Sequence, residues 1–281
     1  MRVLVGWLLL AMCACLGLAV LLSPFLAAAL VQGRENPTGW SGGSPGMLIL
    51  LLSLALLILL YEVQSGLVNA KLVALLGVLT AMNAALRFIE VAIPGPGGFT
   101  PIFFLIILTG YVYGARFGFI LGAMTLFVSA LITGGVGPWL PGQMFTAGWM
   151  GMTAPVCRWI VGRRGRGSRF EIISLMIFGA IWGILYGVIM NLWSWPFFIG
   201  PAEQSWAAGV SFSDLLKRYL IFYMTTSLYW DLAASGGNIL LLGFFGVPTL
   251  KALRRFREKF FYTYSLVIQS LPSTANQAEM I

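Results

Sequence analysis

Residues 172–199 read IISLMIFGAIWGILYGVIMNLWSWPFFI, a run of twenty-eight positions without one charged side chain. Coiled as a helix, it would be about 42 Å long, more than the roughly 30 Å hydrocarbon core of a bilayer. Lipid offers the backbone no hydrogen-bond partner, and only an α-helix satisfies its own groups within one segment. The stretch therefore predicts a membrane-crossing helix.

Working outward, Gly, Pro and charge separate seven further apolar stretches, at about 3–31, 47–63, 67–91, 99–115, 117–133, 143–161 and 219–247. The 281-residue chain is 59% apolar and 9% charged, against about 45–50% and about 25% in a soluble domain. A soluble fold is excluded, and no extramembrane domain fits. The expectation is an all-α, polytopic membrane protein with about eight transmembrane helices. Residues 1–66 form an N-terminal pair that faces lipid or a partner, residues 67–255 a six-helix core rich in Gly, Ala, Trp and Asn, and residues 256–281 a cytoplasmic tail. Ala27, Ala28 and Ala29 also permit the first stretch to be read as a cleaved signal peptide, although its core exceeds the roughly 7–15 residues usual for one.

The charge is +8 from seventeen basic and nine acidic residues. Its placement matters more than its sum, so no nucleic-acid partner is expected. Eight spans put thirteen basic residues on the N-terminal side, among them Lys71, Arg116, Arg158, Arg166, Arg254 and Arg257, and four on the other: Arg34, Arg87, Lys217 and Arg218. The positive-inside rule then places both termini in the cytoplasm of a bacterial cell. The chain has no histidine, which removes His-liganded metal sites and Ser-His or Cys-His nucleophile pairs. Cys13, Cys15 and Cys157 lack metal or disulfide spacing. No GxxxxGK[ST] phosphate loop occurs. No catalytic group, metal or cofactor is expected.

Four features could carry recognition. In LVNAKLVALLGVLTAMNAALRFIEV (67–91), Ala70, Ala74, Gly77, Ala81 and Ala84 or Ala85 share one helix face. Such a face suits close helix approach, either inside the bundle or to a separate subunit. Arg87 and Glu90 follow, as a pair that ends the span or as a polar contact at a pocket mouth. The Gly/Pro loops IPGPGGFTPI and TGGVGPWLPGQM place Trp139 and Gln143 where the chain returns into the membrane, and Trp193, Trp195 and Trp206 add further rings near the same mouth. In the last stretch, Ser227, Asp231, Ser235 and Asn238 make a polar stripe. With a helix start near Tyr219, Asp231 lies about 18 Å deep. The stripe is either a ligand-contacting wall or an inter-helix network, and Asn83 or Asn191 could answer Asp231 across the bundle.

The order of AMNAALR, PGPGGFTPI, YGARFG, GGVGPWLPGQM and SLYWDLAASGGN resembles the substrate-binding S components of energy-coupling factor (ECF) transporters, over about residues 67 to 255. The resemblance implies a six-helix S-component core that captures a vitamin or related micronutrient from the external side. It also implies a transmembrane T component and two ATPase subunits as partners. The family's Ala-x3-Ala docking motif matches either Ala70 with Ala74 or Ala81 with Ala85. Its binding residues map to Trp139, Gln143, Asp231 and Asn238, with Ser227, Arg87, Glu90, Asn191 and Trp195 nearby. GPWLPGQM is most similar to the corrinoid branch, which points to cobalamin or a precursor. The N-terminal pair departs from the six-helix pattern. A structural or assembly subunit of a membrane complex, or a stand-alone secondary transporter, are the alternative readings.

Overall fold

The computed structural model describes residues 70–92, 99–162 and 165–260, together with residues 8, 11, 12, 15–19, 21, 22 and 25. Among them, the regular elements are all helical: α1 (Ala70–Ala92), α2 (Ile102–Tyr113), α3 (Ala115–Thr133), α4 (Leu140–Thr153), α5 (Val156–Val161), α6 (Arg169–Ser194) with a 3-10 turn at Trp195–Phe197, α7 (Phe212–Thr226) and α8 (Leu228–Phe260). Lys71–Phe88, Ala115–Thr133, Arg169–Phe197 and Leu228–Lys259 are each long and apolar enough to cross a membrane. The chain is an all-α polytopic membrane protein. The second apolar stretch, the loop at 93–98, Cys13, the Ala27–Ala29 segment and the tail beyond residue 260 lie outside the described residues.

Helix α2 is the centre of the bundle. Every residue from Ile102 to Val112 is buried, because α1, α3, α4, α6 and α8 all pack on it, and a helix apolar all round belongs in such a place. It has twelve residues, about 18 Å at 1.5 Å each, so the predicted span over 99–115 is a short core helix. Gly114 alone joins it to α3, at φ 109°, a conformation that glycine adopts without steric cost. The buried amide of Asn83 ties α1 to this centre, donating to Thr125 Oγ1 at 3.1 Å and to the Ile102 carbonyl at 3.4 Å.

Glycine sets the close contacts. A Cβ on Gly118 would stand 2.2 Å from the Gly151 carbonyl oxygen, and one on Gly122 would stand 2.3 Å from that of Ala147. The backbones of α3 and α4 therefore touch. The α6–α8 seam repeats this arrangement: a Cβ on Gly179 would meet Leu242 at 2.6 Å, one on Gly183 would meet Ser235 at 2.6 Å, and one on Gly187 would meet Asp231 at 1.9 Å. The two helices run antiparallel in constant register. Each step toward the N terminus of α6 is matched by one toward the C terminus of α8.

Three expectations need correction. One face of the first stretch seats on the core, while Leu8, Met12, Leu18 and Leu22 stay exposed. A Cβ on its Gly17 would meet Phe145 and Trp149 at 2.7 Å, Leu21 is buried, and the Phe25 ring lies 6.4 Å from Trp195 and 6.1 Å from Trp206. The span at 143–161 is broken, since Pro155 brings no N–H to continue the α4 ladder and α5 restarts at Val156. The last stretch begins at Phe212, not Tyr219. Ser211 caps α7 by accepting from the Asp214 N–H at 3.2 Å, while Asp214 accepts from the Ser211 hydroxyl at 2.8 Å, as a reciprocal capping arrangement does. The helix then breaks at Ser227, where Thr225 and Thr226 bond back to the carbonyls of Ile221 and Phe222 at 2.8 and 2.7 Å, a competition that bends helices. From Leu228, α8 continues through Pro248 to Phe260.

Gly183→Ala places its methyl against the Ser235 backbone, which cannot yield, so a loss of about 1–3 kcal/mol is expected from overpacking. Gly236→Ala points into open space, and is expected to leave stability unchanged or raise it by up to about 1 kcal/mol. Thermal unfolding of the two purified variants in detergent tests the contrast. Equal melting temperatures would refute the seam as described.

Candidate functional site

Asp231 occupies the first turn of α8, where the positive end of the helix dipole favours a carboxylate. Its depth is therefore read from α6, not from Tyr219. Its partner across the seam, Gly187, lies ten residues short of Phe197, about 15 Å inside that end of the bundle. Asp231 is 9% exposed. Its Oδ2 makes no bond of 3.5 Å or less, and the buried hydroxyl of Tyr223, directed at it from α7, interacts with it at longer range. Neither amide expected to answer it does so. Asn83 bonds within the α1–α2–α3 centre, and Asn191 Oδ1 accepts from the Ser227 hydroxyl at 2.9 Å.

The rest of the stripe faces α6. Ser235 donates to the Ala180 carbonyl at 2.7 Å, and Asn238 Nδ2 donates to that of Gly179 at 2.8 Å. Both donors are spent between helices, which is the network reading for these two residues. Asn238 Oδ1 is left buried and unpartnered. Tyr219 completes the group by donating to the Val188 carbonyl at 2.6 Å and lying 6.3 Å from the Tyr223 ring, nearly parallel to it.

The chain after α1 closes over the same region. Thr100 donates to Glu90 Oε1 at 3.1 Å, and Phe99 covers Gly237, where a Cβ would meet its ring at 2.4 Å. Arg87 and Glu90 both lie within electrostatic reach of Tyr186 on α6, and the Tyr186 ring is 4.8 Å from Phe103. A bridge from α1 to α8 therefore runs through Glu90, Thr100 and Phe99.

The aromatic residues divide. Trp139 is 38% exposed at the head of α4, its indole N–H donating to the Gly135 carbonyl at 3.2 Å. Gln143 is half-buried one turn later. Trp195 is buried, donates to the Gln204 carbonyl at 2.7 Å and meets the Tyr219 ring at 5.2 Å. It braces Tyr219 instead of lining an open mouth. On α1, Ala74, Gly77, Ala81 and Ala85 are exposed on one face, while the side chain of Ala70 lies outside the described residues.

Sequence reasoning missed Tyr223, Tyr219 and Gly187. A signal for the tyrosines was present, since Tyr219, Tyr223, Ser227, Asp231 and Ser235 recur every fourth residue and extend the stripe backward across the kink.

Fold and seam together define a multi-pass helical membrane protein with a buried, incompletely bonded polar group between its helices. The chain belongs to the ECF transporter, substrate-specific component family, whose family model matches residues 71–242. No curated protein and no solved structure matches it. It is thus a substrate-specific membrane subunit of an ECF transporter of the plasma membrane, a transport component rather than an enzyme, and its family works with T and ATPase components. The match leaves residues 1–70 and the basic end of α8 outside.

Ser227→Ala removes the bond that ties the kink to Asn191, at an expected cost of about 1 kcal/mol. Asp231→Asn keeps shape and breaks no strong bond, so its melting temperature is expected to stay close to that of the parent. Thermal unfolding in detergent measures both, and a collapse of Asp231→Asn would show that the acid serves assembly.

Proposed function

We propose that this subunit captures a mostly neutral vitamin or related micronutrient, a cobalamin-type corrinoid first, at the end opposite the arginine-rich helix ends. The observation that carries the reading is Asp231, nine-tenths buried, whose Oδ2 faces the Tyr223 hydroxyl but closes no bond of 3.5 Å or less with it. A buried polar atom left unbonded costs about 1–3 kcal/mol. A solute bearing amide N–H groups, as corrinoids do, would supply the missing donors. Asn238, Ser227 and Asn191 continue the polar wall, Trp139 and Gln143 contact the outer face of the solute, and Arg87 and Glu90 stand at its mouth. Trp195 acts through Tyr219.

The thirteen-to-four division of basic residues supports cytoplasmic termini, and hence capture from outside. For partner docking, the exposed small residues of α1 support a helix of the T component laid against Ala74, Gly77, Ala81 and Ala85, with Ala70 heading the row. Ala81 and Ala85 are both exposed, as is Ala74. A second reading, in which the stripe only holds the helices of this bundle together, is favoured by the bonds of Ser235 and Asn238 to α6.

Equilibrium titration of the purified chain with a panel of vitamins, without nucleotide, tests the proposal. One compound is expected to bind tightly. Asp231→Asn and Tyr223→Phe are expected to weaken it roughly tenfold to hundredfold, as loss of a hydrogen bond to a charged group does. If no vitamin binds better than at high-micromolar concentration, capture is refuted. Ala81→Leu is expected to abolish co-purification of the T component while ligand affinity stays within about twofold of the parent; unchanged co-purification would move docking elsewhere.

A further inference from the structure

At the other end of the bundle lies a recess of about 600 Å³ lined by Tyr111, Val112, Arg158, Arg166, Arg254, Arg257 and Glu258. Two of its four guanidiniums are built in. Arg158 donates to the Tyr111 carbonyl from Nε and to that of Gly110 from Nη2 at 3.3 Å, with its guanidinium 5.8 Å from the Tyr111 ring centre. Arg254 pairs with Glu171, a carboxylate 2% exposed that also accepts from the Tyr111 hydroxyl at 2.5 Å and the Gly167 N–H at 2.9 Å. Glu171 therefore neutralises Arg254 and fixes the floor. Arg166 and Arg257 are exposed and have no hydrogen-bond or ion-pair partner among the described residues. Against them stands the single carboxylate of Glu258, so the recess keeps a positive excess where α2, α5 and α8 end.

We infer that this recess binds a phosphate group, held between Arg166 and Arg257 above the anchored Arg158. Guanidinium forks match phosphate oxygens in pairs, and basic pockets between membrane helices take up anionic headgroups. The recess lies at the end of the chain opposite Asp231 and is independent of the vitamin reading. Two sources share this chemistry, the headgroup of an anionic phospholipid and a soluble phosphate.

Native mass spectrometry of the full-length chain, released from detergent after titration with phosphatidylglycerol, phosphatidylcholine or inorganic phosphate, separates them. Retention of phosphatidylglycerol over phosphatidylcholine, weakened about tenfold or more in Arg166→Gln/Arg257→Gln and unchanged in Arg255→Gln, supports the site with lipid as the source. Binding of inorganic phosphate with the same dependence, and no lipid preference, supports it with a soluble source. No retention of either, or retention that the double variant leaves unchanged, overturns it. Should the double variant fail to fold, Arg257→Gln alone gives the same comparison. A rise in the melting temperature of the parent chain with whichever of phosphatidylglycerol or inorganic phosphate is retained, which needs no variant, must also appear.

Discussion

The polar stripe of this bundle is organised by the contact of α6 with α8. Gly179, Gly183 and Gly187 remove side-chain volume from one face of α6 at four-residue intervals, and Asn238, Ser235 and Asp231 fill that volume from α8. In lipid the hydrophobic effect does not drive helices together, so van der Waals contact and inter-helix hydrogen bonds must do so. Ser235 and Asn238 supply those bonds to α6 carbonyls. Asp231 follows in the same register but packs against Gly187, which has no side chain to bond it, and its carboxylate faces the Tyr223 hydroxyl of α7 instead.

The kink at Ser227 follows from the same constraint. A straight helix from Phe212 would carry Tyr223 away from α6, whereas the break lets α7 fold so that Tyr219 reaches Val188 and Tyr223 turns toward Asp231. Phe99 then packs against Gly237 of α8, and Thr100 bonds to Glu90 of α1. The small-residue face of α1 and the arginine-lined recess lie on other parts of the surface. One rigid seam can thus support solute capture, partner docking and an anionic contact without the three competing for residues.

Much of this was legible in the chain. The long uncharged runs announced membrane helices, and the polar stripe drew attention to Asp231, Ser227 and Asn238. The paired meaning of the stripe was not legible, because the glycines that receive it sit about fifty residues away, and glycine spacing alone does not name its partner. The start at Phe212 was signalled by Ser211 and Asp214, but the basic residues at 217 and 218 made that turn look extramembranous. Trp195 read as an exposed interfacial ring. Its burial depends on Tyr219 and Gln204, which only the fold brings beside it.

By itself the sequence determined the solvent and the helical class of the chain, because lipid requires self-bonded helices and composition alone records that requirement. The tertiary structure decided which polar atoms were spent and which were left free. A hydrogen bond is a property of two groups and the distance between them, so identical stripe residues became helix-packing contacts at Ser235 and, at Asp231, an acid not bonded to α6. The same reason hid the anchored arginines. Arg158 and Arg254 looked like ordinary flanking charges until Tyr111 and Glu171 were folded against them.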